Sequence, residues 1–187
     1  MVVIKLGMNH IGLRGQVKWQ KRAGCGPSVA SNIILYLKAN NKIYSKKDEV
    51  LLLMQECWDN VTPGEMGIPS TKIFCEAMDK YLLNKFPHKC LDVVENNRTR
   101  PDISEIISFI EYSLKKDSPV AFLNLCNGNE AALECWHWVT IISCKYDENL
   151  DVGEIGIIDQ GKVKKINLLN WYNSTTRGGG FVYFLKK

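Results

Sequence analysis

The spacing of apolar residues divides the chain into a helical first part and a stranded second part. Over 26–39, Val29, Ile33, Ile34 and Leu37 recur every three or four positions, the repeat of one helical face. Pro27 suits the first turn of that helix, where a missing N–H costs nothing. A second helix is expected over 45–57, capped by Ser45 and opened by residues 46–49. After a loop with Pro63, Gly64, Gly67 and Pro69, Ser70 can cap a third helix to about residue 83. Its stripe is Ile73, Phe74, Ala77, Met78 and Tyr81. Asp102 can cap a fourth, in which Ile103, Ile106, Ile107, Ile110 and Leu114 trace one face. A short β-branched run at 90–94 reads as a strand. Strands then dominate, over 119–125, 136–145, 154–159, 162–167 and 181–185, with Gln160-Gly161 turning between the third and fourth. Helices grouped before strands predict an α+β fold.

Composition changes this picture little. The 187 residues, 45% hydrophobic and 24% charged, fit one soluble domain over 1–187 with its own core. The net charge of +4 is dispersed in lysine pairs that alternate with acids. No basic block interleaved with aromatics appears, so no nucleic-acid partner is expected. The apolar runs at 50–54 and 139–142 fall far short of the roughly 20 residues that span a bilayer. The first eight residues lack the charged, apolar and cleavage regions of a signal peptide. Seven cysteines, at 25, 57, 75, 90, 126, 135 and 144, are an odd number, and 57, 75 and 144 sit inside apolar patterns. Free buried thiols in a reducing compartment, by default the cytoplasm, account for them better than disulfides.

Candidate chemistry starts at Cys25, in Ala23-Gly24-Cys25-Gly26-Pro27-Ser28, directly before the first helix. Unpaired N–H groups and the positive end of the helix dipole favour a thiolate there. A turn with a small apolar residue explains Gly24-Cys25-Gly26-Pro27 equally well. His137, between Trp136 and Trp138 at the start of a strand, lies 112 positions downstream. A satisfied core histidine would read the same way, but a cysteine near the N-terminus with a distant histidine is the order of thiol enzymes whose partners meet only in the fold. Asp159 ends a strand and could orient the imidazole as the third member of a triad, or simply open the turn that follows. Gln20, five positions before Cys25, could join the Cys25 N–H in binding an oxyanion.

Taken together, Gln20, Cys25, His137 and Asp159 follow the order of the papain-like superfamily. More narrowly, the chain resembles the C39-like peptidases. The residues that carry the likeness are Gln20 with Gly24-Cys25-Gly26-Pro27-Ser28-Val29-Ala30, Pro119-Val120-Ala121, His137-Trp138-Val139-Thr140-Ile141, Ile157-Ile158-Asp159-Gln160-Gly161 and Leu169-Asn170-Trp171. The likeness implies a papain-like fold with a helical N-terminal part packed against a C-terminal antiparallel β-sheet. It also implies thiol hydrolysis of peptide or amide bonds, a peptide or protein substrate and no cofactor. The Gln20–Cys25 spacing is one residue shorter than is usual in such enzymes.

The same part of the chain offers other candidate chemistry. In a zinc site from Cys126, Cys135, His137 and Cys144, a strand over 135–144 would turn Cys135 and His137 to one face and Cys144 to the other, and no CxxC pair occurs, so no metal is expected. Trp136, Trp138, Trp171 and Tyr172 read as core. The run from Thr175 to Gly180 lacks the strand-before, helix-after setting of a phosphate loop and reads as a flexible hairpin connection. Two rivals to a peptidase use the same residues: a transglutaminase-like or amidase acyl transfer, and a non-catalytic binding domain that keeps the fold.

Overall fold

The computed structural model describes residues 2–3, 23–38, 47–94, 99–147 and 152–186. In chain order the elements are β1 (Val2–Val3), α1 (Cys25–Lys38), α2 (Lys47–Asn60), α3 (Thr71–Leu82), β2 (His88–Val93), α4 (Ile103–Lys115), β3 (Val120–Asn124), β4 (His137–Asp147), β5 (Val152–Asp159), β6 (Lys162–Asn167), α5 (Leu168–Ser174) and β7 (Gly179–Phe184). The strands form one antiparallel sheet in the order β2-β7-β3-β4-β5-β6, with β1 paired to β4. The fold is therefore α+β around an antiparallel sheet.

Helices cover both faces of that sheet. Strands β3 and β7 are buried along their whole length, so their alternate side chains must enter two different cores. Ala121, Leu123, Trp138, Val182 and Phe184 face one core, with α1, α2 and α3. Val120, Phe122, Val139, Ile141, Phe181 and Tyr183 face the other, with α4 and α5. The continuous apolar runs of β3 and β7 follow from this, since an antiparallel strand with one wet face would alternate.

The helix stripes behave as their spacing requires. Ile106, Ile107, Ile110 and Leu114 of α4 are buried. Ser70 caps α3, its Oγ accepting the Ile73 N–H at 3.2 Å. Asp102 is the N-cap residue of α4 but makes no side-chain cap bond. Helix α2 runs to Asn60, three residues beyond the expected end at Cys57. Its final carbonyls are met by side chains: Asn60 Nδ2 donates to Glu56 O, and Thr62 Oγ1 to Trp58 O and Asp59 O. Ser45 and Gln20 lie outside the described residues.

The structure adds one element to those expected and corrects one expectation. The segment at 168–174 is a helix, capped by Asn167, whose Oδ1 accepts the Asn170 N–H at 3.0 Å. The glycine run after it is not a hairpin connection between strands. It joins α5 to β7, and Thr175 fastens it by donating to Cys126 O and accepting the Gly178 N–H. Gly178 has φ +63°, and a Cβ there would fall 1.8 Å from Val93 O, so only glycine fits.

Candidate active site

The thiol of Cys25 sits at the start of α1, where Gly26 leaves room for the loop above it. A Cβ on Gly26 would meet Ile68 Cδ1 at 2.6 Å. Ile68 in turn accepts a bond from Trp138 Nε1 at 2.7 Å, and Trp138 stacks on Phe74. The loop between α2 and α3 thus joins the start of α1 to β4 beside the sulfur. A second link lies about two turns deeper. Asn32 of α1 donates through Nδ2 to Thr140 Oγ1 of β4 at 3.0 Å, both side chains being buried. These contacts fix how far α1 can slide along the strand that carries His137.

Strands β4 and β5 supply the other members. His137 opens β4, immediately after Trp136, whose φ of +57° turns the chain into the strand. Asp159 ends β5, immediately before Gln160 and Gly161. Both turn residues have positive φ, +48° and +75°, as a two-residue hairpin of the twist-matched type demands. The carboxylate is therefore set at the last paired position of a strand.

The structure brings Cys25, His137 and Asp159 together at one pocket. His137 Nε2 is 2.7 Å from Asp159 Oδ1. The imidazole and the Cys25 thiol line the same pocket, and each stabilises the charged form of the other. His137 and Asp159 are only 8% and 3% exposed, while Cys25 is half-buried at the edge of a pocket also lined by Asn32, Trp138 and Gln160.

Electrostatics in this chain run against burial. Burial alone would pull the His137 pKa down, but the bonds and charges of Asp159 and Cys25 push it up to about 10. Burial would raise the Cys25 thiol. The His137 bond and charge, with the backbone N–H groups of Trp138 and Gly26, outweigh that and lower it. Burial would also raise Asp159, yet bonds from His137 and Lys164 hold its carboxyl below the ordinary range. Each shift favours the charged form of its group: thiolate, imidazolium and carboxylate.

Lys164 was not anticipated. On β6 it lies opposite Ile157, one diagonal step from Asp159, which pairs with Lys162. The three side chains share a face, and Lys164 Nζ reaches Asp159 Oδ2 at 2.6 Å. Asn32 and Thr140 were missed as well.

The remaining thiols differ in kind. Burial pushes Cys57 and Cys144 up to about 12, as for inert core cysteines. Cys126 is drawn down to about 7, chiefly by the hydroxyl of Thr176 at 3.3 Å, but no imidazole is among the groups that shift it. Cys126, Cys135, His137 and Cys144 do not converge on a common point among the described residues. Of the aromatic set, Trp138 and Trp171 are buried and Tyr172 is half-buried, while Trp136 is 42% exposed beneath the guanidinium of Arg177. No protein-family model matches this chain, and no curated protein matches it.

Proposed function

We propose that the protein is a papain-like, C39-like cysteine peptidase that hydrolyses peptide or amide bonds through Cys25, His137 and Asp159. The observation that carries this reading is the buried His137 imidazole, hydrogen-bonded to Asp159 at 2.7 Å and set with the Cys25 thiol at one pocket. A core histidine needs no acid behind it and no thiol before it.

In the reaction proposed, the Cys25 thiolate attacks the carbonyl carbon and forms a C–S bond as the carbonyl π pair moves to oxygen. The Cys25 N–H at the start of α1 is one donor for that oxyanion, and Gln20 the second. The oxyanion collapses, the C–N bond breaks, and the His137 imidazolium gives its proton to the departing amine. Neutral His137 then takes a proton from water. The hydroxide adds to the thioester, the C–S bond breaks, and the thiolate–imidazolium pair is restored. Asp159 keeps the ring oriented and stabilises its charged form throughout. Trp138, at the pocket wall, keeps water from one side of the ion pair.

Iodoacetamide labelling with peptide mapping tests the nucleophile. Cys25 should alkylate at pH 6–7 faster than Cys57 and Cys144, whose thiols stay protonated. Cys126 and exposed Cys90 are the competitors, and His137→Ala separates them from Cys25: it should slow Cys25 and leave the other two unchanged. Equal Cys25 rates with and without His137 would sink the proposal. Turnover of a casein or mixed-peptide substrate that is lost in Cys25→Ala extends the test from thiol to peptidase. A normal ion pair without turnover would favour a binding domain that keeps the fold.

A further inference from the structure

Helix α3 and edge strand β2 face each other through a register of paired polar side chains. Positions 71, 75 and 79 follow one face of the helix at four-residue spacing, and 88, 90 and 92 follow one face of the strand at two-residue spacing. They meet as three antiparallel rungs. Thr71 Oγ1 donates to Asp92 Oδ1 at 2.6 Å, Cys75 Sγ lies 2.7 Å from Cys90 Sγ, and Asp79 Oδ1 lies 3.0 Å from His88 Nδ1. One donor atom from each of Cys75, His88 and Cys90 lies within 4.8 Å of the other two. Strands β7 and β3 separate β2 from β4, so at strand spacing the cluster stands about 14 Å from the strand of His137.

We propose that Cys75, His88 and Cys90 form a binding site for a thiophilic divalent cation, with zinc the ion that fits this donor set. Two sulfurs and one imidazole suit zinc, whereas calcium and magnesium take oxygen ligands. His88 is already oriented. Its Nδ1 is tied to Asp79, which leaves Nε2 to coordinate in the carboxylate–histidine–metal arrangement common around zinc. The carboxylates of Asp79 and Asp92 make the field around Cys75 negative, as a cation requires. Tetrahedral zinc with Zn–S bonds of about 2.3 Å holds its sulfurs about 3.8 Å apart. Binding would spread the two thiols by about 1 Å, a movement that exposed Cys90 can make.

The chemistry is ligand exchange without electron transfer. Two S–H bonds give way to two S–metal bonds, both protons leave to solvent, and the imidazole donates its lone pair. Water fills the fourth position. A bound ion would fasten α3 to a sheet edge that is otherwise paired on one side only.

Cobalt(II) titration of the reduced, chelator-treated full chain tests this, in a Cys25→Ser background so that the other thiol–imidazole pair contributes nothing. One equivalent should bind with a thiolate-to-cobalt charge-transfer band and the intense visible bands of tetrahedral cobalt, and zinc should displace it. Cys90→Ser and His88→Gln change an exposed and a half-buried side chain, and each should abolish the signal at one equivalent without lowering the melting temperature of the metal-free protein. Asp79→Asn should weaken binding about 10–100-fold. Cys135→Ser should leave binding unchanged. A folded protein without the charge-transfer band, or a band that survives His88→Gln and Cys90→Ser combined, would overturn the proposal. So would peptide mapping of the unreduced protein that finds Cys75 and Cys90 joined as a disulfide that resists mild reductant.

Discussion

Lys164 holds the second oxygen of Asp159 at 2.6 Å, while the first oxygen faces His137 at 2.7 Å. The carboxylate has a cationic partner on each side, and neither oxygen is left to solvent alone. Lys164 is thus a positioning residue that acts on the imidazole through Asp159. It is partly exposed, which limits its worth to that of a screened pair, about 1 kcal/mol or less. Lys164→Met should lower kcat about two- to fivefold, with Lys164→Arg restoring most of it. Loss of the positive charge should also let Asp159 and Cys25 hold their protons to higher pH, moving the acid limb of the activity profile upward. A lysine that merely stabilised the sheet would shift the melting temperature and leave that limb in place.

The pH profile of the unaltered protein follows from the same chain. Thiolate forms as pH rises through the lowered Cys25 pKa, below the ordinary thiol value of 9.0. Imidazolium is lost as pH rises through the His137 pKa, near 10. Both charged forms coexist between those limits, so kcat/KM should be bell-shaped with its falling limb near pH 10. His137→Ala should remove nearly all turnover, and Asp159→Ala should cost less, because the third member orients rather than attacks. A falling limb near neutrality in steady-state assays would show that Asp159 does not support the imidazolium.

Sequence spacing singled out Cys25, His137 and Asp159 one by one as candidates but not what holds them together. The apolar stripe of α4, the Ser70 cap and the Gln160-Gly161 turn are local signals, each readable within a dozen positions. The Asn32–Thr140 bond spans 108 positions, and the Asp159–Lys164 pair depends on the register of two strands. Helix α5 has only seven residues, with Trp171 and Tyr172 side by side, too short for a stripe to declare itself. The Cys75–His88–Cys90 cluster has no local spacing motif, because its ligands come from two elements.

Asn32→Ala should leave Thr140 Oγ1 buried without its donor. The cost should be about 1–3 kcal/mol in urea unfolding. Thr140→Val combined with Asn32→Leu should cost less than the two single changes together, since both polar groups then vanish. Additive losses would mean that the two side chains do not work as a pair.

Gln20→Ala should slow turnover about a hundredfold to a thousandfold, the usual cost of one oxyanion donor. Folding and Cys25 alkylation should stay nearly unchanged, because neither passes through a tetrahedral intermediate. Unaltered kcat in Gln20→Ala would assign the second donor to another group.

Loops are ordinarily where a chain tolerates added length. The link between β5 and β6 is an exception, because Asp159 is the last residue before it and the lysines at 162 and 164 come directly after. One inserted residue would shift every side chain of β6 relative to β5, and with strand alternation would carry Lys164 to the opposite face of the sheet. Variation in length, harmless at most surface turns, would here separate the acid from its cation without touching either residue.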